Sequence, residues 1–167
     1  MNDKTRRRMR TAIVAGVITG GSIAATVPAV AATTTPTCKG TDLTVSLGRV
    51  DSGAGQRYAT LDFATLGKKS CVLRNDLTGL TFLTSGPEGG AQSVPVTVTR
   101  ASGSTKESLV LKPGVVGHLD LHWSIVDTPT VPDSLTFSLP NSGGLGAAPW
   151  HAAVGPDHHL DLGHLHS

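Results

Sequence analysis

Apolar and polar residues alternate in several short segments of this chain, and each alternation is typical of a β-strand with one buried face. In the segment 42–47, for example, Leu43, Val45 and Leu47 fall on one side of an extended chain. The alternation recurs at 56–65, 71–73, 79–84, 94–98, 109–111, 116–126 and 134–139. After residue 31, no segment repeats apolar residues at the spacing of a helix. The pattern therefore predicts an all-β protein.

Glycine and proline separate these segments and indicate turns. The residues 112–114 are Lys-Pro-Gly, which matches a type II turn whose glycine takes the positive φ. The residues 67–69 predict the turn of a hairpin, and 85–90 predict a loop. Pro95 interrupts the alternation at 94–98, which predicts an edge or bulged strand, because proline has no N–H to donate to a neighbouring strand.

About seven short antiparallel strands around one core are typical of a two-sheet β-sandwich. The predicted fold is immunoglobulin-like but not a true immunoglobulin domain, since neither tryptophan lies between the two cysteines. Trp123 belongs to an inward alternation and is expected in the core. Trp150 lies outside the alternating segments, so it either offers an exposed contact or covers the open end of the sandwich.

The first 31 residues have the composition of a secretory signal peptide. Lys4 and four arginines precede the small, apolar run 11–25, and Ala29 and Ala31 supply the small side chains that a signal peptidase requires. We expect cleavage after Ala31 and a freely secreted, extracellular product. The run is too short and too rich in glycine for a transmembrane helix. The pair at 7–8, Arg-Arg, leaves twin-arginine export open beside the general secretory route.

Removal of this leader changes the sign of the net charge. The full chain has 14 lysines and arginines and 12 aspartates and glutamates, which gives +2. Residues 1–31 hold five of the basic residues and one acidic residue, so 9 − 11 leaves −2 for the mature chain. Neither nucleic acid nor an anionic membrane is therefore an expected partner.

The mature chain divides into three parts. Residues 32–37 form a polar, Thr/Pro-rich tether, residues 38–140 hold the β-sandwich, and residues 141–167 form a Gly/Pro/His-rich C-terminal segment that adds at most one terminal strand. An even number of cysteines in an exported chain predicts a disulfide between Cys38 and Cys71, which are 33 residues apart.

The chain resembles a secreted domain of unknown function, number 4232, from high-GC Gram-positive bacteria. The resemblance runs from Cys38 to about Pro140 and is carried by segments 42–45, 55–61, 71–73 and 111–114, before a strand that ends at Trp123. At 75–77, this chain has Asn-Asp-Leu where such domains usually have a glycine and an aromatic–proline pair. The resemblance implies a secreted, disulfide-linked β-domain and supplies no reaction, cofactor or catalytic residue.

Motifs of known catalytic chemistry are absent from the sequence. It has no Gly-x-Ser-x-Gly, phosphate-binding loop, dinucleotide fingerprint, His-Glu-x-x-His or Cys-x-x-Cys. A glycosidase needs two carboxylates that flank the bond it cleaves. The two glutamates do not suggest such a pair, since Glu88 falls in a glycine-rich loop and Glu107 at a predicted strand start, but pairs of aspartates stay possible. We expect a non-enzymatic protein, with a hydrolase of cell-wall or other polymers as one alternative.

Histidine is the unusual residue type, because five of the seven histidines lie in the last 17 residues. Imidazoles two residues apart on a strand share one side, a spacing suited to zinc or copper. A terminal strand placed beside the strand at 116–126 would bring its histidines near His118 and His122, which flank Asp120. The candidate ligands are His118, His122, His158, His159, His164 and His166. The other interpretation is that these histidines are solvated and bind nothing specific.

These observations favour a secreted β-sandwich that acts as a binding or interaction module for an unknown partner in the envelope or outside the cell. Extracellular binding of zinc or copper by the histidine-rich end is the second hypothesis. Neither a lipid anchor nor a resident cofactor is expected.

Overall fold

A computed structural model of the chain describes residues 34–86 and 90–167. The predicted leader and its cleavage site lie outside these ranges. In the described residues, strands dominate, and two short 3₁₀ turns occur at Gly40–Asp42 and Ser104–Lys106. None of the described residues form a helix of the length and apolarity that a membrane span needs.

The strands follow one another along the chain with loops of a few residues between them. They are β1 (Leu43–Leu47), β2 (Asp51–Gly53), β3 (Gln56–Thr65), β4 (Cys71–Arg74), β5 (Thr78–Ser85), β6 (Ala91–Pro95), β7 (Thr97–Arg100), β8 (Ser108–Leu111), β9 (Gly117–Ser124), β10 (Ser134–Leu139), β11 (Gly144–Pro149) and β12 (His159–His166).

These strands form two larger sheets and one small sheet. The six-stranded sheet has the order β1-β3-β9-β12-β7, with β2 also paired to β3. The four-stranded sheet has the order β11-β10-β5-β6, and β4 and β8 make a two-stranded sheet. Neighbouring strands are antiparallel except β12 and β7, which run parallel.

The two larger sheets pack their apolar faces against each other. The ring of Phe63 in β3 meets the ring of Phe137 in β10 edge to face, with centroids 6.0 Å apart. Residues that alternate along each strand supply the buried set, as in β9, where Leu119, Leu121 and Trp123 are buried and their neighbours are half-exposed. The prediction of an all-β sandwich built on inward-facing alternation is confirmed.

The predicted disulfide is present and ties the start of the domain to β4. Cys38 and Cys71 are bonded, with Cα atoms 4.8 Å apart. On a chain-entropy estimate, a loop of this length stabilises the fold by roughly 3 to 4 kcal/mol. Backbone hydrogen bonds on both sides of the bond, from Cys38 to Val72 and from Val72 to Pro36, hold the same two segments together.

Both tryptophans lie in the core. Trp123 is fully buried, as its alternation predicts, and its Nε1–H donates to the carbonyl of Ala153 at 2.8 Å. Trp150 is only 4% exposed, with its ring centroid 5.2 Å from that of Trp123 and 4.9 Å from that of Phe82. The expectation of an exposed contact at Trp150 was therefore wrong, and the packing interpretation is correct.

Two local expectations differ from the structure. The alternation at 94–98 is not one strand: β6 ends at Pro95 and pairs with β5, whereas β7 begins at Thr97 and pairs with β12 in the other sheet. Pro95 cannot extend the ladder, and the chain crosses between the sheets immediately after it. The turn at 67–69 does not close a hairpin either, because β4 pairs with β8 instead of β3.

The sheets also continue past residue 140, where the sequence suggested that the sandwich stops. β11 pairs with β10 in the four-stranded sheet, and β12 lies between β9 and β7 in the six-stranded sheet. The last segment is therefore part of the sandwich and positions the groups described next.

Candidate functional site

The solvent side of the six-stranded sheet, with the loop at its edge, carries a concentration of imidazoles and carboxylates. We call it the histidine–carboxylate face. Its members are His118, His122, His159, His164, His166, Asp62, Glu107, Asp120 and Asp161, each of which is hydrogen-bonded to another member.

The alternation of β9 explains why this face is polar. Its leucines and Trp123 point into the core, so His118, Asp120 and His122 point outward. The antiparallel register places Asp62 of β3 opposite His118, and Asp161 of β12 opposite His122. Each outward histidine of β9 therefore has a carboxylate beside it on a neighbouring strand.

Two pairs occupy one end of the face. His118 Nδ1 donates to Asp62 Oδ1 at 2.8 Å, and His166 Nε2 donates to Asp120 Oδ1 at 3.1 Å. Because a carboxylate oxygen only accepts, these contacts identify which ring nitrogen carries hydrogen in each imidazole. The rings of His118 and His166 lie side by side across the strands, with centroids 5.5 Å apart.

The other end of the face is built around Asp161. Its two oxygens accept from His122 Nδ1 at 2.8 Å and from His159 Nε2 at 2.9 Å. Burial raises the pKa of Asp161, but these two hydrogen bonds outweigh it and leave the pKa below the usual range. Asp161 is thus held in its charged form between two imidazoles.

His122 has contacts on every side. Its Nε2 lies 2.8 Å from the side-chain carbonyl oxygen, Oε1, of Gln56, and the ring of Tyr58 stacks on the imidazole with centroids 4.7 Å apart. Tyr58 is 53% exposed and is the only tyrosine in the chain. The result is a rigid imidazole beside an accessible aromatic ring.

A bulge in β12 shapes the middle of the face. The register with β9 shifts between Leu162 and Leu165. Gly163 lies in this bulge, where an added Cβ would come within 2.7 Å of the Cβ of Asp120, so a side chain would force the strands apart. The Leu165 N–H, freed by the bulge, donates to Glu107 Oε2 at 2.8 Å.

His164, on the solvent side of the bulge, bonds the same carboxylate, because its Nδ1 donates to Glu107 Oε1 at 2.6 Å. This hydrogen bond lowers the pKa of Glu107 and raises the pKa of His164. Asp120 adds a smaller attraction that also raises the pKa of His164. The pair is exposed, so solvent screens its contribution to stability.

A shallow cavity of about 500 Å³ opens at the centre of this face. Its walls include Tyr58, Asp120, His122 and Asp161, and the bare backbone of Gly163 forms part of its floor. Arg100 also lines it, but its guanidinium is directed to the carbonyls of Asn75 and Leu77, and burial lowers its pKa. The cavity therefore combines one aromatic ring and two carboxylates with a largely apolar lining.

The six histidines proposed as metal ligands are not gathered at one point. His118 lies beside His166, His122 lies beside Asp161 with His159, and His164 bonds Glu107. His158 is in the turn before β12, with its ring 6.3 Å from that of Phe82. Within residues 34–86 and 90–167, no three ligating side chains are close enough together to hold a metal ion.

Sequence reasoning identified the histidines and Asp120 but missed the other carboxylate partners. The outward position of Asp62 was implied by the inward position of its neighbours Leu61 and Phe63, and this signal was available. The inward Leu160 and Leu162 give the same signal for Asp161. The roles of Asn75 and Glu107 had no local signal, because each depends on a strand or loop distant in sequence.

Comparison with known proteins gives one result. The sequence profile described as Domain of unknown function (DUF4232) matches residues 38–165, a range that begins at Cys38 and extends into β12. No curated protein and no solved structure matches the chain.

Proposed function

The chain belongs to the DUF4232 family of domains of unknown function, and from this premise we propose that it is a secreted, non-enzymatic binding module whose histidine–carboxylate face holds a hydroxyl-rich ligand, a glycan. The observation that carries the proposal is the cavity beside Tyr58, where an exposed aromatic ring adjoins fixed hydrogen-bonding groups.

The chemistry of this cavity suits a sugar. The face of an aromatic ring packs against the C–H face of a pyranose, while planar polar side chains bond its hydroxyl groups. Tyr58 supplies the ring, and Asp120, Asp161 and Gln56 supply acceptors and an amide next to it. These polar groups are held by neighbouring imidazoles, so a ligand would meet them already oriented.

The contacts of His122 support a non-enzymatic role. In a hydrolase with a histidine base, one ring nitrogen is bonded to an orienting carboxylate and the other faces a nucleophilic hydroxyl. His122 has the carboxylate, Asp161, but its second nitrogen faces the amide of Gln56. An amide is not a nucleophile for acyl or glycosyl transfer.

Placement outside the cell is supported by the sequence of residues 1–31, with its basic head, apolar run and small residues at the expected cleavage site. The disulfide agrees with an oxidising compartment. The intact mass of the protein recovered from culture medium tests this part, because retention of Met1 or two free thiols would contradict it.

Affinity for isolated polysaccharides tests the binding site. We expect the secreted protein to bind one or more of a panel of peptidoglycan glycan strands and neutral wall polysaccharides, and Tyr58→Ala to weaken that binding about tenfold, since an aromatic contact of about 1.4 kcal/mol corresponds to that factor. Leu145→Ala is the matched control, because Leu145 is 76% exposed in the other sheet. Absence of binding across the panel, or equal loss in both variants, would overturn the proposal.

A second candidate function, binding of zinc or copper, is favoured by the cross-strand pair of His118 and His166. The two imidazoles on paired strands would supply two nitrogen ligands of the kind that such sites use. Because no third ligating side chain of the described residues is close enough to join them, other ligands would have to come from water or from a side chain that moves. A metal ion would replace the two hydrogen bonds to carboxylates.

Thermal unfolding with and without each ion tests this candidate. If the site exists, an ion at 100 times its Kd stabilises the protein by about 2.7 kcal/mol and raises the melting temperature. His118→Ala and His166→Ala should each remove the shift, whereas His151→Ala, at an exposed loop position, should retain it. Deletion of the C-terminal segment is unsuitable as a test because it removes β12. No shift with either ion excludes the site.

A further inference from the structure

A second groove lies next to the disulfide and shares no lining residue with the cavity beside Tyr58. It has a volume of about 580 Å³ and lies between the segments 36–42 and 65–71. We call it the lysine groove, after Lys39, Lys68 and Lys69, which line it.

The walls of this groove are fixed. The Cys38–Cys71 bond joins the two segments directly. Val72 N–H donates to the carbonyl of Pro36 at 2.8 Å, and Leu66 N–H donates to the carbonyl of Asp42 at 2.9 Å. The groove is therefore a permanent feature of the fold, so a ligand need not order its walls.

The cations of the groove have no carboxylate partner among the residues that the structure describes. The four arginines after residue 31 are all engaged: Arg49 and Arg74 pair with aspartates, and Arg57 and Arg100 donate to carbonyls. In contrast, no carboxylate of residues 34–86 and 90–167 lies within 4.0 Å of the ammonium groups of Lys39, Lys68 and Lys69.

The balance of charge in the groove is positive. Three of the nine lysines and arginines after residue 31 line it, and Asp42 is the one carboxylate in its lining. A chain that is net negative after residue 31 has thus concentrated a third of its cations around one recess. Such a recess attracts anions through a field that falls off over about 10 Å at 0.1 M salt.

Hydroxyl groups complete the lining. Thr37, Thr41 and Ser70 surround the lysines, and the Oγ1 of Thr65 is buried without a hydrogen-bond partner. A buried hydroxyl normally has a partner, because an unmade hydrogen bond costs about 1 to 3 kcal/mol. A ligand oxygen in the groove would satisfy it.

We propose that the lysine groove is a binding site for phosphate groups, carried on an extracellular phosphodiester polymer. The ammonium group of lysine binds phosphate as a point charge. The guanidinium of arginine differs, because it is planar and pairs with two oxygens at once. Three separate ammonium groups along one groove suit successive phosphates of a chain better than a single phosphate ion. This inference does not depend on the glycan site, because that site lies on the histidine–carboxylate face and shares no residue with the lysine groove.

Titration with two probes tests the proposal, using inorganic polyphosphate as the polymer and inorganic phosphate as the single ion. We expect polyphosphate to bind more tightly than phosphate, and its affinity to fall steeply as salt rises, because each neutralised phosphate releases counterions. Lys68→Gln/Lys69→Gln should weaken polyphosphate binding by about tenfold or more, an effect of roughly 1.4 kcal/mol.

The matched control is Lys106→Gln/Lys112→Gln, which removes two exposed lysines outside the groove and gives the same net charge. Thr65→Val gives a second variant, which should fold at least as stably as the parent and still bind polyphosphate more weakly. If both double variants weaken polyphosphate binding equally, the effect is one of net charge and the proposed site is wrong. Failure of polyphosphate to bind the parent protein would also overturn the proposal. Neither result affects the glycan test, whose readout depends on Tyr58.

Discussion

Asn75 is a buried amide that joins three segments far apart in the sequence. Its side chain is 1% exposed, and its Nδ2–H group donates to the carbonyl of Gly163 at 2.9 Å and to Glu107 at 3.3 Å. Its backbone N–H donates to the carbonyl of Glu107. The same residue therefore supports both the bulge of β12 and the carboxylate that bonds His164.

Replacement of Asn75 by alanine should destabilise the fold by about 2 to 3 kcal/mol, because it leaves the carbonyl of Gly163 buried without its partner. The measurement is the free energy of unfolding in urea. Gln92→Ala, an exposed amide on β6, is the control and should change it by less than about 0.5 kcal/mol. A similar small change for Asn75→Ala would show that water replaces these hydrogen bonds.

The pair of His164 and Glu107 makes stability depend on pH in a defined direction. The pKa of His164 is raised above its ordinary 6.5, so its contribution is complete below that pH and is lost as pH rises through the folded-state value. The pKa of Glu107 is lowered from 4.5, so its contribution is complete above that pH and is lost as pH falls through the folded-state value. The pair contributes fully between these two ordinary values.

We therefore expect His164→Gln to lower the melting temperature more at pH 5.5 than at pH 8.5, since His164 is more fully protonated at the lower pH, where Glu107 is still charged. His151→Gln is the control, because His151 is exposed in a loop, and it should produce no such difference. Melting temperatures of both variants and the parent at the two pH values decide the matter. If His164→Gln lowered the melting temperature equally at both pH values, the charged pair would not contribute to stability.

At the scale of single elements, the turn of the β2–β3 hairpin contains an alanine in a backbone conformation that favours glycine or asparagine. The turn between these strands is Ala54-Gly55, with φ of 46° and 79°. Two positive values match the type I′ turn of two-residue hairpins, where the first position favours asparagine or glycine. Alanine there is strained by its Cβ.

Ala54→Asn should stabilise the hairpin, and with it the domain, by about 1 kcal/mol, because it relieves this strain. The control is Ala91→Gly, at an exposed alanine of β6 whose backbone is extended. This change should destabilise the domain by about 0.5 to 1 kcal/mol, because glycine loses more conformational freedom on folding than alanine. Chemical denaturation of both variants provides the comparison. No gain from Ala54→Asn would mean that the turn tolerates alanine without cost.

Pro95 shows how one residue decides the use of an element. The valines at 94, 96 and 98 alternate as if in a single strand, and the prediction of an edge position is correct for both pieces. Only the structure reveals that the chain leaves one sheet after Pro95 and joins the other at Thr97. Proline ends a ladder in any fold, whereas the destination of the following residues depends on which strand offers a free edge.

At the scale of the whole molecule, β12 completes the sandwich. It lies between β9 and β7, and its Leu160 and Leu162 are fully buried. Without β12, β7 would lose its neighbour in that sheet. His122 would also lose the carboxylate of Asp161, and His118 would lose the adjacent ring of His166. The C-terminal segment is thus structural as well as part of the candidate site.

Removal of residues 159–167 should abolish cooperative unfolding, and Leu160→Ala should destabilise the domain by about 2 to 5 kcal/mol through lost burial and a cavity. Leu145→Ala, at an exposed leucine of β11, should be close to neutral. Circular dichroism during thermal unfolding distinguishes the variants. A cooperative transition in the truncated chain would show that the remaining strands form a core by themselves.

The sequence by itself determined most of the strands between residues 42 and 139, which of their side chains face inward, that Cys38 and Cys71 pair, and that Lys112-Pro113-Gly114 turns, with Gly114 at φ 80°. Alternation, turn chemistry and the even cysteine count are readable from residues close together or few in number. Only the tertiary structure decided that β4 pairs with β8, that β12 lies beside β9, and that Asp161 lies between two imidazoles. Those contacts join residues far apart in the chain, and a local pattern of hydrophobic and polar positions carries no information about the register between them.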